Sequence, residues 1–324
     1  MREDSPMTRD AEAIRCEGLS KHFGKLIALD HLDLAIEKGA CFGFLGPNGA
    51  GKTTTLRLLA GITHPTSGKV WVAGQDVTRN TLGLRSLIGY LPETPAYYDW
   101  MTGREFLRFT ADLYGMQRAS GKTRTEELLK QVNLTQDGHR RVGAYSRGMK
   151  QRLGLAQALL NRPEVLLLDE PASALDPMGR REMLEAIRAL KGETTVFLST
   201  HILADVERLC DRVAIIDKGR TVRMGTIDEL RAQQGPSVFE VQFEEDGASA
   251  VARLENVPWV TSVKTAQKGD RPILQVEVND LEKAKKELPR LLVDTGLTLL
   301  RYELTAASLE EVFIDLVGGG EAIE

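Results

Sequence analysis

Apolar and polar residues alternate over Ala13–Gly18 and again over Leu26–Ile36, the period-two pattern of half-buried strands, so a sheet is expected to start early in the chain. The short apolar run Ala40–Leu45 then feeds a glycine-rich turn, after which Thr53–Leu59 takes helical spacing. Helical periodicity fills the middle third, over Thr102–Tyr114, Thr123–Val132 and Ser146–Leu160. Strands return at Val165–Leu168, Thr195–Ser199 and Arg212–Ile216, interleaved with the helical stretches Arg180–Leu190 and Ile202–Cys210. Strand and helix in alternation predict an α/β core on a parallel sheet.

The pattern breaks around Gln233, Gln234, Gly235 and Pro236. Beyond the break come a strand over 237–243, a helix near 247–255, strands near 260–266 and 273–278, a helix over 280–294, a strand over 297–303 and a helix over 308–316. This β-α-β-β-α-β succession predicts a small α+β, ferredoxin-like unit. The organisation expected is a flexible polar tail over 1–12, a first domain over 13–232 with a helical subdomain at about 95–160, and an accessory domain over 237–318.

Composition narrows the class. The 324 residues are 42% hydrophobic and 27% charged, ordinary for globular domains, and the length suits two of them. Net charge is −4 with acids and bases interspersed, so no basic face for direct nucleic-acid binding is expected. Cys16, Cys41 and Cys210 are odd in number and in no CxxC pair, which argues against a disulfide framework or a zinc site and suits a reducing cytoplasm. The opening segment carries charges where a signal peptide needs an apolar stretch, and no window reaches the ~18 apolar residues of a membrane helix. Membrane association is therefore expected only through a partner.

The turn after Ala40–Leu45 carries the clearest chemistry. GPNGAGKTT (Gly46, Pro47, Asn48, Gly49, Ala50, Gly51, Lys52, Thr53, Thr54) satisfies the phosphate-loop pattern GxxxxGK[ST], with a strand before it and a helix after it. Glycines let backbone N–H groups turn around phosphate oxygens, and the helix N-terminus adds partial positive charge. Lys52 supplies a cation for the β- and γ-phosphates, and the Thr53 hydroxyl is placed for Mg²⁺. The strand Val165–Leu168 ends in Asp169, a candidate Mg²⁺ holder, and Glu170, a candidate to polarise the attacking water. Read without that context, the two acids are also a solvated strand end or a capping pair.

From about Ile14 to Thr226 the chain resembles ABC transporter ATP-binding subunits, with their motifs in order. The resemblance implies a P-loop NTPase fold, ATP hydrolysis with Mg²⁺, and a cytoplasmic subunit peripheral at the inner face of the cell membrane. In LSKHFGKLIAL, Phe23 stands where the family stacks a ring on adenine, although alone it also reads as a core aromatic. IGYLPE matches the Q-loop, except that Glu93 replaces the usual glutamine and cannot donate the amide hydrogen bond. YSRGMKQR resembles the signature, with Arg147 and Met149 as departures and Ser146 and Gly148 retained. SALDP resembles the D-loop, where Asp176 would couple two sites, and His201 stands at the switch-histidine position.

The implied working unit is a homodimer in which Ser146, Gly148 and Asp176 act in trans on nucleotide held by the second copy. IGYLPE, YSRGMKQR and SLEEVF are similar to exporter-type subunits, and the implied partner is a separate transmembrane permease. Tyr97, Tyr98, Trp100 and Phe106 suit either a groove for that permease or the packing of the helical subdomain. Leu309, Val312, Phe313 and Leu316 form one face of a terminal helix, suited to the domain's own core or to a second copy. The other readings considered are an importer subunit, a soluble translation or repair ATPase, and a non-hydrolysing ATP-binding module.

Overall fold

The computed structural model describes residues 11–79, 81–173, 175–232, 237–245, 247–268, 271–305 and 309–318. Nearly all of the expected polar tail, the break at 233–236 and Ser308 of the last helix lie outside them. The chain divides into two compact units, Met1–Thr226 and Ile227–Glu324.

In the first unit, β1 (Glu12–Phe23) and β2 (Leu26–Glu37) form an antiparallel hairpin. The chain then crosses to a second sheet through β3 (Cys41–Leu45), which delivers α1 (Lys52–Leu59). It returns to the first sheet as β4 (Ser67–Val72) and β5 (Gln75–Asp76), completing the order β2-β1-β4-β5. After α2 (Thr81–Arg85) and β6 (Ile88–Leu91) comes the helical segment, α3 (Gly103–Leu113), α4 (Arg118–Gln131) and α5 (Arg147–Ala158). Then follow β7 (Val165–Asp169), α6 (Pro177–Arg188), β8 (Thr195–Thr200), α7 (Leu203–Leu209), β9 (Arg212–Asp217) and β10 (Arg220–Thr226).

The second sheet runs β10-β9-β3-β8-β7-β6, parallel except for β10 at its edge. Parallel strands covered on both faces read as continuous apolar runs, and every residue of β3, β7 and β8 is buried. The rings of Phe42 and Phe44 lie 5.8 and 5.2 Å from that of Phe197, joining β3 to β8 within the apolar core. Because β3, β7 and β8 are parallel, their C-terminal ends open on one edge, where α/β proteins bind ligands.

Several elements escape the hydrophobic pattern. β4, SGKVWV, opens with exposed polar residues, and β6 is only four residues long, too short to display a period. α4 begins at Arg118, before the expected Thr123, because its first turn is polar. Ser146, which read alone at the opening of its helical stretch is a plain N-cap, is the N-cap of α5, its Oγ accepting from Met149 N at 3.2 Å. Thr102 likewise caps α3 with Glu105 in a reciprocal capping box. The aromatic cluster divides. Phe106 is buried with its ring 5.1 Å from that of Tyr97, whereas Tyr98 and Trp100 are 49% and 66% exposed.

The second unit begins earlier than the sequence break, at Ile227, because α8 (Ile227–Ala232) packs against the final helix. Its elements are β11 (Ser237–Phe243), α9 (Ala248–Leu254), β12 (Val260–Lys268), β13 (Arg271–Val278), α10 (Leu281–Val293), β14 (Leu299–Thr305) and α11 (Leu309–Gly318). The antiparallel order β12-β13-β11-β14 is the ferredoxin-like arrangement expected from the element succession. Phe239, Val241, Val276, Ala284, Leu288 and Leu292 close its core between sheet and helices.

Candidate functional site

The phosphate loop is shaped by close backbone approaches. A Cβ on Gly46 would lie 2.4 Å from Ile216 O, so only glycine fits where β3 leaves the sheet. Gly51 adopts φ 107°, and a Cβ there would lie 2.6 Å from Ala28 O. Gly51 is also the N-cap of α1 and makes no side-chain cap, so the positive end of the helix faces the loop with its first N–H groups open to a ligand.

Lys52, in the first turn of α1, folds back over the loop. Its Nζ donates to Gly46 O at 2.7 Å and to Pro47 O at 3.2 Å, and lies 3.3 Å from Glu170 Oε1. Glu170 follows the last residue of β7 and is 7% exposed. Its φ of 48° is left-handed for a non-glycine residue, a backbone strain typical of functional turns. Its Oε2 lies 2.9 Å from His201 Nδ1, immediately beyond β8. One carboxylate thus bridges the ammonium of the loop and the imidazole of the neighbouring strand end.

Asp169 faces the other way. Its Oδ1 accepts from Thr53 Oγ1 at 3.2 Å and from Ser199 Oγ at 2.9 Å. Burial pushes the Asp169 carboxyl above its ordinary range, the charges of Glu170 and Glu93 add to that, and the two hydroxyl bonds oppose it. These surroundings disfavour the negative charge of Asp169, and a cation at this position would restore it. A hydroxyl and carboxylates are hard oxygen donors of the kind Mg²⁺ takes. Among the described residues no three His, Cys, Asp or Glu side chains are grouped to hold a metal alone; Mg²⁺ commonly relies on one or two protein ligands plus substrate phosphates.

These groups border a cavity of about 430 Å³. Phe23, Pro47, Asn48, Gly49, Gly51, Lys52, Thr53, Thr54, Glu93, Glu170 and His201 line it. Gly46, Ala50 and Asp169 are not among the lining residues. Phe23 is 51% exposed, so it is not a core aromatic, and Lys21 Nζ lies 4.9 Å above its ring. Leu26, Ile27, Ala28 and Ser173 also line the cavity and were not anticipated. Leu26 and Ile27 begin a strand that reads as half-buried, yet they are 65% and 50% exposed; two apolar residues beside a Gly-Lys turn and a phenylalanine were the available signal.

Glu93 is exposed, and its backbone is tied to the helical segment, its carbonyl accepting from Gln151 Nε2 of α5 at 2.9 Å. Ser146, Gly148 and Asp176 are not among the cavity-lining residues. Ser146 and Asp176 are exposed, and Asp176 caps α6 by accepting from Gly179 N at 3.3 Å. Cys41 and Cys210 are brought together by the fold, with their sulfurs 3.9 Å apart and both thiols free and buried.

Residues 29–173 match the ABC transporter family, and residues 225–317 match the family described as the ATP-binding protein DrrA1-3-like C-terminal domain. The chain is 40% identical over 301 residues to the ABC transporter ATP-binding protein YxlF of Bacillus subtilis, covering 93% of this chain and 98% of that protein. It is 38% identical over 315 residues to the daunorubicin resistance ATP-binding protein DrrA3 of Streptomyces coeruleorubidus, covering 96% and 98%. A solved ATP-binding subunit of an ABC transporter is similar at 32% identity with a TM-score of 0.63, over 68% of this chain and 92% of that one. Relatives this similar span nearly the whole chain: the protein belongs to the ABC transporter family as an ATP-binding, ATP-hydrolysing subunit.

Proposed function

We propose that two copies of this chain close around two molecules of MgATP and that the cycle of closing and reopening drives a separate membrane permease in export. The observation that carries the reading is the meeting of Lys52, Glu170 and His201 across one nucleotide-sized cavity. Lys52 neutralises the β- and γ-phosphates, leaving its present partners Gly46 O and Pro47 O to do so. Glu170 accepts the proton of the attacking water, and His201 holds the γ-phosphate oxygens while fixing the Glu170 carboxylate by its hydrogen bond. Phe23 stacks on the adenine. Thr53, Asp169 and Glu93 would hold Mg²⁺, which would offset charge on the phosphates.

Ser146, Gly148 and Asp176 lie outside the cavity of their own chain, which supports their acting on nucleotide held by a second copy. Loss of the γ-phosphate then removes contacts that hold the dimer shut. Exposed Tyr98 and Trp100, in the helical segment that also holds the Glu93 backbone, suit a permease helix. Among the described residues no helix is long and apolar enough to cross a membrane, and peripheral attachment through the permease fits that. Export is inferred from the likeness to DrrA3 and from the DrrA-like C-terminal match.

Phosphate release from MgATP by the purified chain and by Glu170→Gln tests the reading. Release should fall by ~10²-fold or more with ATP affinity retained and an ATP-bound dimer accumulating. Equal release from the two proteins would sink it. Co-purification of a membrane protein, lost when Tyr98 and Trp100 are both replaced by alanine while ATP binding persists, tests the docking surface.

A further inference from the structure

Asp205 is a buried acid that the chemistry above does not use. It lies in the first turn of α7, four residues after His201, and is 2% exposed. Arg180 grips it from α6, with Nε at 3.0 Å and Nη2 at 2.8 Å from Asp205 Oδ1. Arg180 in turn stands four residues after Asp176, whose backbone carbonyl accepts the Arg180 N–H at 2.9 Å. The two spacings mirror each other: one helical turn joins Asp176 to Arg180, and one turn of chain joins Asp205 to His201.

α6 and α7 pack together, and each buries apolar side chains farther along, Met183 and Ile187 on one, Val206 and Leu209 on the other. A buried ion pair adds little stability over well-packed carbon. What a charged pair held by two nitrogens adds is register. Here it joins the first turn of α6 to the first turn of α7. Burial pushes the Asp205 carboxyl up, Arg180 draws it back down, and the Glu170 charge pushes it up again, so the pair also sits within the electrostatic reach of Glu170.

We propose that Arg180 and Asp205 are positioning residues that lock the D-loop helix to the segment carrying His201, so that Asp176, offered to the second copy, and His201, offered to the chain's own nucleotide, move as one body. The link rests on the roles given above to Glu170, His201 and Asp176. It couples the site a chain completes in its partner to the site it holds itself, through a single ion pair.

The test compares Arg180→Gln, Arg180→Lys, Asp205→Asn and the Arg180→Gln/Asp205→Asn double variant in the full chain. The readouts are kcat and KM for MgATP, equilibrium ATP affinity and thermal unfolding. Each single loss of the pair is expected to lower kcat by about tenfold or more, as a small misplacement of reacting groups does, with KM and ATP affinity within about twofold. The double variant should be no worse than either single, since both remove one interaction, and Arg180→Lys should recover part of kcat. Unchanged kcat in the singles, losses that multiply in the double, or ATP affinity falling in step with kcat would each overturn the link. Asp205→Asn keeps the shape of the buried side chain and decides the matter if Arg180→Gln does not fold. A Glu170→Gln protein that still releases phosphate refutes the assigned mechanism instead, whatever the pair does.

Discussion

The first unit buries Lys52, Asp169, Glu170 and Asp205 near the ends of parallel strands, whereas the second keeps Lys264–Glu277, Lys285–Glu282 and Arg301–Glu303 at its surface. Both are sheets covered by helices, and both close an apolar core. The difference follows from strand direction. Parallel β3, β7 and β8 end on one edge, so the residues that follow them converge; neighbouring strands in the antiparallel β12-β13-β11-β14 sheet end on opposite edges and gather no such set. Glu240 is also buried, in the second unit. The other charged residues buried among the described residues lie toward the edge where the parallel strands end.

That contrast makes separable demands on the two units. Phe239→Ala, at a side chain 1% exposed and stacked 5.3 Å from the Tyr302 ring, should cost the second unit about 3–5 kcal/mol in denaturant unfolding followed by the fluorescence of Trp259. MgATP affinity should stay within about twofold; a matching loss of affinity would erase the distinction. Ser146→Ala should cost about 1 kcal/mol as a lost N-cap. ATP binding by the single subunit should be unchanged while ATP-dependent association, measured by light scattering, fails.

Asp169→Asn should have the opposite sign in the nucleotide-free protein. The folded carboxyl titrates above its ordinary value of 3.8, so its ionised form costs stability; the cost sets in as pH rises past 3.8 and is complete above the folded value. Asparagine lacks that cost. The variant should melt at a higher temperature at neutral pH, the gain should shrink as pH falls toward 3.8, and a constant offset across that window would contradict the assignment. The smallest effect is expected at the surface of the second unit, where Lys264→Gln removes an exposed pair with Glu277 and should change stability by less than about 0.5 kcal/mol.

Much of the site is legible along the chain because its parts are local. The phosphate loop needs consecutive residues, and so does an apolar strand followed directly by Asp169 and Glu170, so spacing alone displays both. The order of elements in the second unit is legible for the same reason: its helices and strands each show their own period. What spacing hides is whatever depends on a neighbour far away. β4 and β6 earn their strand geometry from β1 and β7 rather than from their own pattern, and Ser199 matters only because β8 lies beside β7. Leu26 and Ile27 read as part of a half-buried strand, yet both are exposed where their strand end borders a cavity.

Local chemistry thus sets which residues this protein has available: a loop that only glycines can turn, a lysine and threonine opening a helix, two acids at a strand end and a histidine after another. These depend on backbone sterics and on periods of two and 3.6 residues, which act over a few positions. Tertiary structure sets which of them meet. The bridge from Lys52 through Glu170 to His201, the grip of Arg180 on Asp205 and the approach of Cys41 to Cys210 join residues far apart in the chain. The first exists because parallel pairing stacks three strand ends on one edge, the second because α6 packs on α7, and the third because α7 returns its C-terminal end to the start of β3.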